Sequence, residues 1–149
     1  MEVKKIHCAV DLEDTIAPSV EYAKMMASMT GASILVAYVI PAHTPYEDVY
    51  LSVNNQPNEV NNPNETIQKS MNALLAEQFA GMDATGVILV GRPSEELVKL
   101  AEEKGANLIV MGTHGRAGFD RLLFGSVAHE VVRAAPCPVM TVRPLMPKK

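Results

Sequence analysis

Tryptophan is absent from this chain, cysteine occurs only twice, and aromatic residues make up just 5% of its 149 positions. Cys8 lies in an apolar run and Cys137 between two prolines, with no C-x-x-C pair and no histidine at zinc spacing. That pattern excludes a disulfide scaffold and a zinc-ribbon type of site, and both thiols are expected to be reduced and structural. Basic charge is not in excess either: 13 Lys and Arg stand against 17 Asp and Glu, for a net charge of −4. No general surface for nucleic acid or an anionic membrane is therefore expected. The longest apolar run, residues 32–41, is too short to cross a bilayer. Met1-Glu2-Val3-Lys4-Lys5 leads into no signal-like hydrophobic stretch, so cytoplasmic residence is the expectation. What remains, 48% apolar and 20% charged residues, is the composition of an ordinary globular chain. At this length a single domain spanning residues 1–149 buries about two-thirds of its unfolded surface.

Short apolar runs alternate with helical stripes. Residues 5–10, 33–40, 85–90, 107–111 and 139–143 read as strands, the inner ones buried on both faces, with the first ending at Asp11. Ile16, Val20, Ala23 and Ala27, flanked by Tyr22, Met26 and Met29, predict a first helix that Asp14 or Thr15 can cap, that tolerates Pro18 in its first turn and that stops at Gly31. Ile67, Met71, Leu74, Leu75 and Met82 predict a second, stopping near Gly81. Ser94-Glu95-Glu96 opens a third, with Leu97, Leu100 and Ala101 inward and Gly105 at its end. Val127, Ala128, Val131 and Val132 mark a fourth, ending near Ala135. Between the second strand and the second helix, residues 41–64 carry four prolines and six asparagines and read as a long irregular connection. Four alternations that finish on a strand call for a mainly parallel sheet covered on both faces by right-handed crossovers.

Gly112, Gly115 and Gly118 follow the fourth apolar run at every third position, where the backbone can take positive φ and bring bare N–H groups to a ligand. Gly125-Ser126 then opens the fourth helix. Free N–H groups and the positive end of the helix dipole fall at Gly125 to Ala128, with the Ser126 hydroxyl as N-cap or as phosphate donor. An anion is the natural guest; the alternative is that these glycines only turn the chain. No Gly-x4-Gly-Lys-Ser/Thr occurs and no Gly-x-Gly-x-x-Gly follows the first strand, which disfavours a Walker-type enzyme. His7, His43 and His129 occupy a strand, a loop and a helix as ordinary residues, whereas His114 lies inside the glycine turn, where its ring or backbone can face a nucleotide.

The series Gly112-x2-Gly115-x9-Gly125-Ser126, continued by Ala134-Ala135-Pro136-Cys137-Pro138-Val139, resembles the universal stress protein family, and the resemblance covers nearly the whole chain. It implies an α/β fold: a three-layer Rossmann-like sandwich with a five-stranded parallel sheet of order 3-2-1-4-5 and helices on both faces. Ligands of such sheets bind outside the carboxyl ends of the strands at the point where the chain reverses direction, here between strands one and four. In ATP-binding members the glycine series is the nucleotide motif. Carried over, Ala9 and Val10 line the adenine pocket, the backbone of Val39 pairs with adenine, and Asp11 lies by the ribose. Met111, Gly112, Thr113, His114 and Gly115 run along ribose and phosphates, and Gly125, Ser126, Val127 and Ala128 form the phosphate-binding turn. Arg116 either lends charge to the phosphates or is a solvated loop residue, and Asp11 read alone is a helix cap or turn residue. Leu12-Glu13 replaces the small residues often found after that aspartate and adds acidity near the site.

A divalent ion, magnesium or manganese, is expected with a triphosphate, held largely by phosphates and water since no all-protein cage is evident. The resemblance also implies a homodimer, made by antiparallel pairing of the edge strand Val139, Met140, Thr141 and Val142 with its copy. The function expected is that of a cytoplasmic stress-response protein that binds ATP and acts as a dimeric, nucleotide-dependent regulator or sensor. Two alternatives stay open. One is slow ATP hydrolysis or self-phosphorylation, for which only Asp11 or His114 offers a base; the other is a dimer that binds AMP or no nucleotide.

Overall fold

All pairings among the five strands are parallel, and the sheet runs third, second, first, fourth and fifth strand in chain numbering. The elements of the computed structural model, which describes residues 2–12, 18–42, 63–113 and 126–143, follow one another as β1 (Lys5–Ala9), α1 (Pro18–Thr30), β2 (Ser33–Pro41), α2 (Pro63–Gln78), β3 (Ala84–Gly91), α3 (Pro93–Lys104), β4 (Leu108–Gly112), α4 (Ser126–Ala134) and β5 (Val139–Val142). Side chains alternate across a strand, so each inner strand serves two cores. Ile6, Cys8, Ile34, Val36 and Val110 pack with Val20, Ala23 and Ala27 of α1 and Met71 and Leu74 of α2. Ala37, Val39, Ile109 and Met111 pack on the other face with Leu97, Leu100 and Ala101 of α3 and Ala128 and Val131 of α4. The expected three layers result.

Glycine ends the first and third helices as expected: Gly31 has φ +78° and Gly105 φ +69°, the latter donating its N–H to the Ala101 carbonyl. Elsewhere the boundaries move. β1 stops at Ala9 rather than Asp11, β2 extends to Pro41, and Pro63 is already helical. α2 ends at Gln78, so Met82 leaves the helix and its N–H instead closes a turn onto the Phe79 carbonyl at 3.1 Å. α3 begins at Pro93 behind Arg92, and Ser94 does not cap it; its hydroxyl bonds to Glu130 on α4. Asp14, Thr15 and His43, with most of the 41–64 connection, lie outside the described residues.

Both cysteines are free, and burial pushes the Cys8 thiol up to about 12, as suits an inert core residue. His7 departs from the reading of it as an ordinary strand residue. It is 3% exposed, and its buried Nδ1 has no hydrogen-bond partner among the described residues. Burial first, then the charges of Lys5 and Lys104, lower its pKa to about 4 and keep the ring neutral.

Candidate functional site

β1 and β4 are neighbours and part company at their carboxyl ends. Their ladder runs from Ile6↔Leu108 to Cys8↔Val110 and goes no further. Beyond that point each strand stays with its outer neighbour: the Val10 N–H bonds to the Ala37 carbonyl on β2 at 2.9 Å, and β4 remains paired with β5 through Gly112↔Val142. The Thr113 N–H extends that second pairing, reaching the Val142 carbonyl at 3.1 Å. The ladder thus leaves a gap between Val10-Asp11 on one side and Met111-Gly112-Thr113 on the other, where the expected crevice falls. It lies at the point where the chain reverses direction across the sheet, the place where open α/β sheets take ligands.

The wall on the α3–α4 side is apolar and continuous. Ala9, Val39, Met111, Val127 and Ala128 belong to one packed cluster, with Met111 and Ala128 almost fully buried. Val10 is not part of it: together with Leu12 it packs on the α1–α2 side, so only its backbone is shared with the crevice. Asp11 falls between these two residues and is half-buried. Val39 is placed differently again. In a parallel strand both backbone groups of a residue face the same neighbour, and Ala37 faces β1, since its carbonyl accepts from Val10. Val39, two residues on, repeats that orientation where β1 has already ended at Ala9.

α4 starts at Ser126, which is therefore the first helical residue rather than the residue before the helix, and is exposed. Helix N-termini leave their first N–H groups without intrahelical partners, and here those groups belong to Ser126, Val127 and Ala128. Buried Ala128 and Val131 seat the helix against the sheet. His114, Gly115, Arg116 and Gly125 lie outside the described residues. Among the described residues no group of three or more His, Cys, Asp and Glu is placed to hold a metal ion, and no helix is long and apolar enough to cross a membrane.

The model of the universal stress protein family matches residues 2–143. The chain belongs to the universal stress protein family. Within that family it is similar to universal stress protein MJ0531 of Methanocaldococcus jannaschii, 33% identical over 98% of this chain and 84% of that protein. It is also similar to universal stress protein MJ0577 of the same organism, 28% identical over 94% of either chain. The solved structure of MJ0577 superposes with a TM-score of 0.79 over 99% of this chain and 100% of that one. The universal stress protein from Archaeoglobus fulgidus in complex with dAMP superposes with a TM-score of 0.58 at 25% identity, over 95% of this chain and 98% of that one. The Rossmann-like universal stress protein fold is thus common to these chains.

Sequence reasoning missed two features. Val142, counted only as part of a dimer edge, supplies the carbonyl that holds Thr113. Glu130, unremarked on the fourth helix, joins α4 to α3 through Ser94 and Arg92. Neither has a local signal, because each contact joins residues about thirty or more positions apart.

Proposed function

We propose that this chain, as one domain of 149 residues, binds an adenine nucleotide in the crevice between β1 and β4 and acts as a nucleotide-dependent regulator in the stress response. The observation that carries the reading is the early end of the β1–β4 ladder at Cys8↔Val110, beside an apolar wall and a helix N-terminus. The dAMP complex of the Archaeoglobus relative supports adenine as the base. In this reading the base lies against Ala9 and Val39, with the Val39 backbone reading its edge and Asp11 accepting from ribose hydroxyls. Met111, Gly112, Thr113, His114 and Gly115 follow the sugar and phosphates. Gly125, Ser126, Val127 and Ala128 donate to the terminal phosphates, with Arg116 adding charge. ATP is the nucleotide proposed, with magnesium or manganese held by phosphate oxygens and water. The working unit is a cytoplasmic homodimer joined along Val139, Met140, Thr141 and Val142, the outermost strand of the sheet.

Mass spectrometry of the ligand retained by gently purified protein tests this, together with calorimetric titration of ATP, ADP and AMP with magnesium into stripped protein. Retained ATP, or micromolar binding that Gly115→Val and Gly125→Val abolish, is the expected result. Absence of binding by all three nucleotides overturns it.

A further inference from the structure

At the opposite edge of the sheet, where the strands begin, a cleft of about 300 Å³ opens beside the carboxyl end of α3. Its floor is a row of side chains on the α3 side, His7, Leu35 and Thr85, set next to one another by the pairings His7↔Leu35 and Leu35↔Thr85. Cover thins along that row, from buried His7 through half-buried Leu35 to exposed Thr85, so the cleft opens toward β3. Lys5 and Lys104 line it from above. The Lys5 ammonium donates to the Lys104 carbonyl at 3.0 Å, which holds it at the rim. Among the described residues neither lysine forms an ion pair, and Asp83 is the one acidic residue of the lining. His7 lines the cleft with them, and its buried Nδ1 has no hydrogen-bond partner among the described residues.

We propose that this cleft is a binding site for a small oxyanion, a phosphate or a carboxylate, held between the ammonium groups of Lys5 and Lys104 over the ring of His7. Two cations without an ion-pair partner beside an orphaned buried nitrogen form a set short of negative charge and of one hydrogen-bond partner, whereas buried polar groups are as a rule paired. An oxyanion answers both: charge for the lysines and, with a turn of the ring that brings the buried Nδ1 to the cleft, a hydrogen-bond partner for the imidazole. The size fits a small metabolite, at the lower end of ligand pockets. Asp83 sets the selectivity, since a carboxylate on the rim repels a polyanion and favours a ligand with a hydrogen to donate, such as hydrogen phosphate or a hydroxy acid. An anion here also offsets the repulsion between the lysines and a protonated His7, so binding is linked to proton uptake by that ring.

The cleft and the crevice lie at opposite ends of the strands, so the two readings stand or fall separately. The test is a titration of the full-length chain with inorganic phosphate and, in a second arm, with lactate, followed through the nitrogen-15 resonances of the imidazoles. Saturable movement of the His7 signals in at least one arm is expected, and the arm that responds names the oxyanion. The double variant Lys5→Ala, Lys104→Ala, which alters only exposed residues, is expected to weaken that response at least tenfold. If neither anion moves His7 saturably, or if the double variant responds as the parent does, the proposal is wrong.

Discussion

The buried hydroxyl of Ser94 donates a hydrogen bond to Oε1 of Glu130, while Nη2 of Arg92 donates to the other carboxylate oxygen at 2.9 Å. One carboxylate on α4 is thereby held by both the N-cap residue and the second residue of α3. The arrangement ties α4 to the start of α3. The Ser94 bond above all, aided by the charge and hydrogen bond of Arg92, holds the Glu130 carboxyl below its usual pKa.

A carboxylate with a lowered folded pKa adds stability above its unfolded pKa and loses that contribution as pH falls through the folded value. Ser94→Ala and Glu130→Ala are therefore expected to lower Tm at pH 7, with the difference from the parent shrinking in acid. Glu130→Gln, which still accepts from Ser94, is expected to lose less than Glu130→Ala. Thermal unfolding followed by circular dichroism across pH 3 to 7 reads this. A difference from the parent that does not change with pH would count against the tie.

α2 approaches β3 closely because position 86 has no side chain. A Cβ on Gly86 would lie 2.7 Å from Cγ and 2.8 Å from Sδ of Met71, which is fully buried. Gly86→Ala is expected to cost about 1–3 kcal/mol through overpacking, and Met71→Ala about 2–5 kcal/mol through the cavity it leaves. The double variant, whose new methyl enters that cavity, is expected to cost less than the two together. Urea unfolding of the three variants checks this, and strict additivity would show that the two sites do not press on each other.

His7 carries a pH dependence of its own. Its pKa falls from 6.5 to about 4 on folding, first through burial and then through Lys5 and Lys104. The unfolded chain therefore binds more protons between those values, so stability is full above pH 6.5 and declines as pH drops toward 4. The loss amounts to about 3 kcal/mol in all. Denaturation in urea at a series of pH values should show this slope, and His7→Leu should flatten it. A bound oxyanion, by raising the folded pKa toward 6.5, should narrow this window from its acid end and reduce the loss.

The outer edge of β5 can be tested one residue at a time. Pro138 and Val142 give their carbonyls to β4, through Ile109 and Thr113. By alternation the N–H groups of Val139 and Thr141 face away from β4, toward the free edge. Proline is tolerated in a strand when the missing N–H points outward. Thr141→Pro should therefore leave the fold and its far-ultraviolet spectrum in place while converting the proposed dimer into a monomer. Light scattering after size exclusion decides it, and a variant that stays dimeric would move the interface elsewhere.

The amino-acid sequence was enough to determine the five strands, four helices and their order, because those signals are local: Ile34, Val36 and Val39 in an apolar run, Leu97, Leu100 and Ala101 at helical spacing, Gly31 and Gly105 where a left-handed backbone ends a helix. It was also enough to make the strands that precede Asp11 and Gly112 neighbours, once the glycine series had suggested the family, although β1 stops at Ala9, two residues short of Asp11. Ends of elements were less legible. Met82 keeps the helical spacing of Leu74 and Leu75, yet the chain turns after Gln78, since periodicity records which residues are buried and not which backbone buries them. Three things only the tertiary structure decided: that the β1–β4 ladder stops at Cys8↔Val110 while the outer pairings continue, that Ser94 answers to Glu130 instead of capping its own helix, and that His7 is buried without a partner for Nδ1. Each depends on how far apart two segments end in space. Strand register and helix packing set that distance through contacts between residues remote in the chain, and no local pattern of residue types encodes it.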